Sequence, residues 1–302
     1  MSLFVQQEQT INSFTDSGSW VVLSPIEQSI KQKIEAVGKP LKDWDIQINY
    51  GIKTGFNDAF IINEESRAEI LSNCLTEEER KRTAELIRPI LRGRDIKRYG
   101  YNWKHLYIIN THNGVKGKLP RIHIEDYPAV KAHLDQYWDK IERRADQGDT
   151  PYNLRNCAYV EDFSKPKVIY MEIQTDNPQM GYPFPCFSYD NNKCVVLNTA
   201  YIMCSRTVDT RIILATLNSS LGKILTKFYV TQLQQRQFRM LAQYVTNFPI
   251  AKPSESQAKQ LIDLVEKQLR NYSNSTDEEI NQMVFDIYGL TEEERKYVSA
   301  LL

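Results

Sequence analysis

Apolar positions along the chain follow two periods, and the changes between them mark its elements. Ile26, Ile30, Ile34 and Val37 recur at helical spacing behind Ser24-Pro25. Ser24 is suited to cap that helix, and the fixed φ of Pro25 suits its first position; Gly38 and Pro40 end it. Trp44 to Tyr50 alternates and predicts a strand. Gly51 to Gly55 then reads as a turn and Ala59 to Ile62 as a second strand, together a hairpin with a glycine-bracketed tip. Leu106–Ile109 and Val168–Ile173 are apolar enough for buried strands. Ala129 to Arg144 predicts one helix, with Val130, Leu134, Tyr137, Trp138 and Ile141 on one stripe. The prolines in Gly181–Pro185 require a loop or an edge. Phe187–Tyr189, Val195–Leu197 and Ala200–Met203 continue as strands, with Asp190–Asn192 as a hairpin turn between the first two. Arg211 to Tyr229 reads as one helix.

Phe248-Pro-Ile-Ala-Lys-Pro253 cannot be helical and marks a boundary. Helices follow over Glu255–Asn271, Thr276–Tyr288 and Thr291–Leu302. Leu75-Thr-Glu-Glu-Glu-Arg-Lys81 recurs verbatim at 290–296. Thr followed three residues later by Glu is a capping box, so the repeat is a shared way to start a helix, with no duplication implied. The expected organisation is α+β: a polar, loosely ordered extension and helix (1–40), a mixed-sheet region with flanking helices (41–252) and a helical C-terminal tail (253–302).

Composition adds little until charge is placed along the chain. Thirty-eight basic and 38 acidic residues cancel. Nevertheless Arg80–Lys104 carries nine basic residues against Glu85 and Asp95, and Arg206–Lys252 carries seven against Asp209. A neutral total thus conceals two basic stretches, a pattern suited to nucleic acid, with solvated helix faces as the plain alternative. The five cysteines form no CxxC pair and the four histidines lack metal-ligand spacing. An odd thiol count without a signal peptide suggests a reducing cytoplasm, and no apolar run is long enough to span a membrane.

Catalytic patterns are incomplete. A DNA adenine methyltransferase needs an Asn/Asp-Pro-Pro-aromatic loop, but Gln179 follows Asn177-Pro178, and no Gly-rich strand-to-helix turn accompanies it. The Gly51–Gly55 segment has its lysine between the glycines and no Gly-Lys-Ser/Thr, so it is no P-loop. The nearest metal-nuclease candidates are Asp162 and Glu172, without the lysine that positions water.

Base-reading chemistry fits better. Arginine can make two bonds to guanine, and Gln or Asn two to adenine. Gln232–Arg239 concentrates such groups in Gln234, Gln235, Arg236, Gln237 and Arg239, with Asn218 and Ser219 shortly before; the plain reading is a solvated helix end with Leu233 and Phe238 turned inward. At the glycine-bracketed tip, Lys53, Thr54 and Asn57 are candidate DNA contacts, with a plain turn as the alternative. Arg92, Arg94, Lys97 and Arg98 are candidate phosphate contacts, which position without specifying sequence.

Taken in order, Gly51–Phe60, Ile87–Arg98, Thr150–Cys157, Lys165–Glu172, Leu217-Asn-Ser219 and the closing Asp286–Glu294 resemble the target-recognition region of type IIG restriction–modification enzymes, the TaqI-like C-terminal specificity domain family. The likeness spans about Trp44 to Leu302. It implies a non-catalytic reader of double-stranded DNA, joined in relatives to a nuclease and an adenine-N6 methyltransferase in the same polypeptide. Those parts are missing here, so the resemblance implies either a fragment of such a protein or a subunit working with separate catalytic subunits. S-adenosylmethionine and Mg²⁺ are expected only in the missing parts, and no cofactor in this chain. Phe248-Pro249-Ile250 with the helix from Glu255 is also similar to the turn and long helix after the recognition domain of type I specificity subunits. The alternatives are a metal-dependent nuclease using Asp162 and Glu172, and a protein-interaction module using the acidic tail.

Overall fold

The computed structural model describes residues 23–177 and 183–301. The polar start of the chain and Gly181-Tyr182 of the expected loop lie outside them. The fold is α+β, and its contacts divide the chain into two compact units. Of the described residues, one comprises 23–45, 175–177, 183–185 and 211–301; the other comprises 46–174 and 186–210.

The second unit contains two four-stranded sheets. In the first, the order is Phe187–Asp190, Lys167–Met171, Ala200–Ser205, Ile46–Tyr50, all antiparallel. In the second it is Val195–Val196, Ile87–Leu91, Tyr107–Ile109, Ile61–Ile62, with only the first pair parallel. Phe60, Ile90, Ile109, Leu134, Ile169 and Ile202 are buried in one continuous apolar cluster.

Neither expected hairpin forms. Ile46–Tyr50 pairs with Ala200–Ser205, while Ile61–Ile62 pairs with Tyr107–Ile109 and is preceded by a helical turn at Asn57–Phe60. Gly51 shows why: a Cβ there would lie 2.2 Å from the Leu197 carbonyl oxygen and 2.3 Å from that of Val196. The glycine serves a close backbone crossing, and Ile52 bridges Leu197 in parallel. Likewise Asp190–Asn192 links strands of different sheets. There the Asp190 carboxylate, paired with the fully buried Lys167, accepts the Cys194 N–H (3.0 Å) and the Tyr101 hydroxyl (3.1 Å).

The expected 129–144 helix is two pieces, Pro128–Asp135 and Trp138–Ile141, interrupted at Tyr137 (φ −111°, ψ 16°). Trp138 therefore leaves the buried stripe and is 38% exposed, tilted against Tyr152.

In the other unit the first helix runs Pro25–Val37, with Ser24 and Glu27 forming a reciprocal capping box. Gly38–Pro40 then pairs antiparallel with Pro249–Ala251. The helices expected after 253 form, at Glu255–Arg270, Asn274–Tyr288 and Glu292–Ala300. This helical C-terminal segment belongs to the same unit as residues 23–45 and 211–252. The Tyr288 hydroxyl accepts the Ala251 N–H and donates to the Pro249 carbonyl, both at 2.9 Å. Glu294 accepts from Ser29 and Lys33 of the first helix, both at 2.7 Å.

The expected 211–229 helix is also two, Thr210–Asn218 and Ser220–Tyr229. Ser219 is extended (φ −66°, ψ 167°), and its hydroxyl accepts the Gly222 N–H, starting a second helix. Asn281 Oδ1 satisfies the Ser220 N–H at 2.8 Å.

Candidate nucleic-acid interface

The segment around Lys53, Thr54 and Asn57 is organised by Arg144. This arginine is buried, and its guanidinium donates to the backbone carbonyls of Thr54 (2.8 Å), Ile141 (3.2 Å), Pro151 and Asn153. Its charge also lies 4.5 Å from the Phe60 ring centroid. Burial pushes its pKa down to about 10, with Asp146 opposing. Arg144 thereby joins the 51–60 and 150–157 segments, two of the motifs legible in the sequence. Thr54 is only 2% exposed and its hydroxyl donates to Asn57 Oδ1 at 2.6 Å. The expected phosphate contact at Thr54 gives way to this structural role. Lys53 is half-buried, and Asn57 is exposed.

In the 92–98 segment the cations have different fates. Arg92 Nε and NH2 both bond the buried Asp95 carboxylate at 2.9 Å, and these bonds raise the pKa of Arg92. Its guanidinium is engaged inside the fold, so the expected phosphate contact is unsupported there. Arg94 is exposed. Lys97 and Arg98 are half-buried, with the Arg98 guanidinium 5.3 Å from the Tyr99 ring. Gly93 has no room for a Cβ, which would sit 2.5 Å from the Thr199 carbonyl oxygen, and its N–H donates to Thr199 Oγ1.

The remaining candidates lie in the other unit. Asn218 is 0% exposed, at the break between two helices. Neither it nor the buried Ser219 is presented to a ligand, and the Leu217-Asn-Ser219 motif is a helix junction. Gly222 confirms how closely that junction packs, since a Cβ would lie 2.1 Å from the Leu217 carbonyl oxygen.

Residues 232–239 are not a helix end but a hairpin. Gln232 bridges Phe238, and the Leu233 N–H donates to the Gln237 carbonyl at 2.6 Å. Phe238 is buried and stacks on Phe184, whereas Leu233, expected inward, is 39% exposed. The turn occupies Gln234–Arg236, and Gln237–Arg239 forms the returning strand. Gln234 and Arg239 are exposed and Gln237 is half-buried; the side chain of Gln235 lies outside what the structure describes.

Arg236 occupies the left-handed region at φ 60°, which costs a non-glycine residue about 1 kcal/mol or more. Two bonds to Asp176 offset that strain: the Asp176 N–H donates to the Arg236 carbonyl (3.0 Å), and Arg236 NH2 donates to Asp176 Oδ2 (2.7 Å). Asp176 Oδ1 is held by the buried Lys223 at 2.9 Å. Burial raises the Asp176 pKa, but the bonds from Lys223 and Arg236 outweigh it and lower the value overall. The Arg236 side chain is 57% exposed, so the guanidinium is oriented from behind and open in front.

Sequence reading missed Asp176, Lys223 and Arg144. One signal was present for Lys223, a lone cation inside the apolar run Leu221–Leu225. Of the nuclease candidates, Asp162 is buried and bonded by Lys165 at 2.5 Å. Among the described residues, no group of three or more His, Cys, Asp and Glu could hold a metal ion. No helix among them is long and apolar enough to cross a membrane.

The TaqI-like C-terminal specificity domain family matches residues 88–250. The type II methyltransferase M.BanIII of Aneurinibacillus aneurinilyticus is 25% identical over 206 residues, which are 66% of this chain and 33% of that protein. The type II methyltransferase M.PaeR7I of Pseudomonas aeruginosa is 21% identical over 279 residues, 91% of this chain and 44% of that protein. The chain thus spans less than half the length of these curated relatives. The type IIL restriction–modification enzyme MmeI, solved in complex with DNA, shares the fold with a TM-score of 0.59 at 14% identity, over 87% of this chain and 36% of that one. Because the family match covers more than half of the 302 residues, the chain belongs to the TaqI-like C-terminal specificity domain family.

Proposed function

We propose that this chain reads duplex DNA for a methyltransferase and a nuclease that lie elsewhere, in the same parent polypeptide or in partner subunits, as in a type IIG restriction–modification enzyme. The observation that carries the reading is the 232–238 hairpin. It offers Gln234 and Arg236 outward, with Arg236 pre-oriented by Asp176. A guanidinium fixed from one side retains donors on the other for the O6 and N7 of guanine, and the ordering cost is met before binding. Arg94, Lys97 and Lys53 supply charge for phosphates in the other unit. The names of the relatives, type II methyltransferases and an enzyme solved with DNA, support the same reading. On this reading S-adenosylmethionine and Mg²⁺ serve catalytic parts outside the chain, and the compartment is the cytoplasm.

The test is selection of bound duplexes from a randomised pool, followed by affinity measurements on the selected site. Arg236→Ala is expected to weaken that site by about 1–3 kcal/mol and to relax preference at one base pair. An equal loss on every sequence would make Arg236 a phosphate contact. Absence of binding at low salt would overturn the reading of the whole chain.

A further inference from the structure

In the 46–174 and 186–210 unit, residues 113–121 form a small hairpin that none of the family motifs includes. The Val115 N–H donates to the Leu119 carbonyl at 2.8 Å and the Leu119 N–H donates back at 2.9 Å. Between them Lys116-Gly117-Lys118 makes the turn, closed by Lys118 N–H to the Val115 carbonyl, with Gly117 at φ 74°. Gly114, at φ 72°, is compulsory on two counts, since a Cβ would also lie 2.5 Å from the Leu119 carbonyl oxygen.

The base is fixed far more firmly than a solvated turn requires. The Asn113 side-chain amide donates to Asp149 and Asn156 and accepts the Asp149 N–H at 2.9 Å. Asn153 donates to the carbonyls flanking the loop, at Thr111 and Ile122, and the Leu154 N–H donates to Thr111. Arg121 is paired with Asp149 at 3.4 Å. The tip is the opposite. Lys116 and Lys118 are exposed and have no ion pair among the described residues, and the Lys116 and Gly117 N–H groups have no intramolecular acceptor there. The hairpin borders an open cleft of about 920 Å³ whose charged lining is Lys116, Lys118, Arg121 and Asp149.

We infer that this hairpin is a second DNA-contacting element, gripping backbone phosphates with the Lys116 and Lys118 ammonium groups and the tip N–H groups. The inference rests on the reading of the chain as a DNA reader. Two ammonium groups and two unpaired amides on one rigid turn form an anion cradle of the kind successive backbone N–H groups make. A fixed base removes most of the ordering cost that flexible lysine loops incur on binding. No planar side chain at the tip is suited to reading a base edge, so the element contributes affinity without sequence preference.

The experiment is fluorescence anisotropy of a labelled mixed-sequence duplex with the full chain, across roughly 50–200 mM salt. Lys116→Ala/Lys118→Ala is expected to flatten the log affinity–log salt slope by about 1.8, at about 0.9 for each phosphate no longer neutralised, with the same fold-loss on all duplexes. Gly114→Ala keeps every charge but blocks closure, and is expected to weaken binding in the same direction. Lys140→Ala/Arg143→Ala removes the same charge from an exposed region of the same unit and should leave the slope unchanged. The inference is overturned if the 116/118 variant keeps the wild-type slope, or if the 140/143 variant flattens it equally. Wild-type chain that binds no duplex at low salt would overturn the DNA reading itself, whereas normal binding with an unchanged 116/118 slope removes only the hairpin.

Discussion

Arg144→Met removes the guanidinium but leaves most of the side chain's apolar length. Four carbonyls, of Thr54, Ile141, Pro151 and Asn153, lose a charged donor at once. At ~1.5–3 kcal/mol for a bond to a charged group, the gross loss is about 6–12 kcal/mol. Against this stands the desolvation of a cation to which no carboxylate bonds among the described residues, a cost of several kcal/mol in real proteins. The lowering of its pKa to about 10 by burial has the sign of that cost. The net destabilisation should therefore be about 3–5 kcal/mol, in the range for breaking a buried charged network. Urea unfolding followed by tryptophan fluorescence gives the magnitude. Hydrogen exchange at the Gly148 and Leu154 amides locates it, since the Gly148 N–H donates to the Asn153 carbonyl that Arg144 also holds, and the Leu154 N–H anchors the next residue to the Thr111 carbonyl. Arg144→Lys should recover only part of the loss, because an ammonium group cannot reach four carbonyls with a planar fork. A loss below about 1 kcal/mol, with exchange unchanged at both amides, would refute the assignment of Arg144 as the staple of these segments.

Other expectations test the same physical accounting. Thr54→Val should cost about 1 kcal/mol through loss of the bond to Asn57, without altering the salt dependence of DNA binding; a flattened slope would restore Thr54 as a phosphate contact. Asp176→Ala should destabilise by about 3–5 kcal/mol because Lys223 stays buried without its partner, and Asp176→Asn by less, both read by chemical unfolding. Burial raises the pKa of Glu294, but its bonds from Lys33, the Thr291 N–H and Ser29 prevail and bring it to about 2. A depressed carboxylate stabilises above its unfolded value of 4.5 and loses that stabilisation as pH falls towards about 2. Up to roughly 3 kcal/mol should disappear across that window, and Glu294→Gln should abolish that part of the acid slope in unfolding measured against pH.

Elements whose signals are local could be read from the sequence. The caps at Ser24 and Thr291, and the stop at Gly289 in the left-handed conformation, place helix ends within a residue or two because the bonds join near neighbours. Strand partners could not be read in this way. Ile46–Tyr50 and Ile61–Ile62 flank a turn-like segment, yet the constraint on Gly51 comes from carbonyls at 196 and 197. The site divides similarly. Its charged residues were visible as a set, but exposure decides which are offered to a ligand, and exposure depends on distant partners. Arg92 is engaged by Asp95, Thr54 lies under Arg144, and Asn218 sits in a helix junction whose break the apolar pattern did not reveal. Arg236 remains outward because Asp176, far away in sequence, takes only one side of it.

The interleaving of the two units determines how either can be moved between proteins. The chain passes from one unit to the other four times, near residues 45, 174, 185 and 210. A single cut-and-splice at any loop between Tyr50 and Ala200 would strand part of a sheet, because Ala200–Ser205 is the interior strand between Ile46–Tyr50 and Lys167–Met171. A transplant of that unit has to carry 46–174 and 186–210 together while leaving 175–185 behind. Asp176 and Phe184 in that short segment serve Arg236 and Phe238 of the recipient. The smallest exchangeable form of that unit is thus two pieces of chain with a native insert between them, and the base-facing Gln234 and Arg236 stay with the recipient.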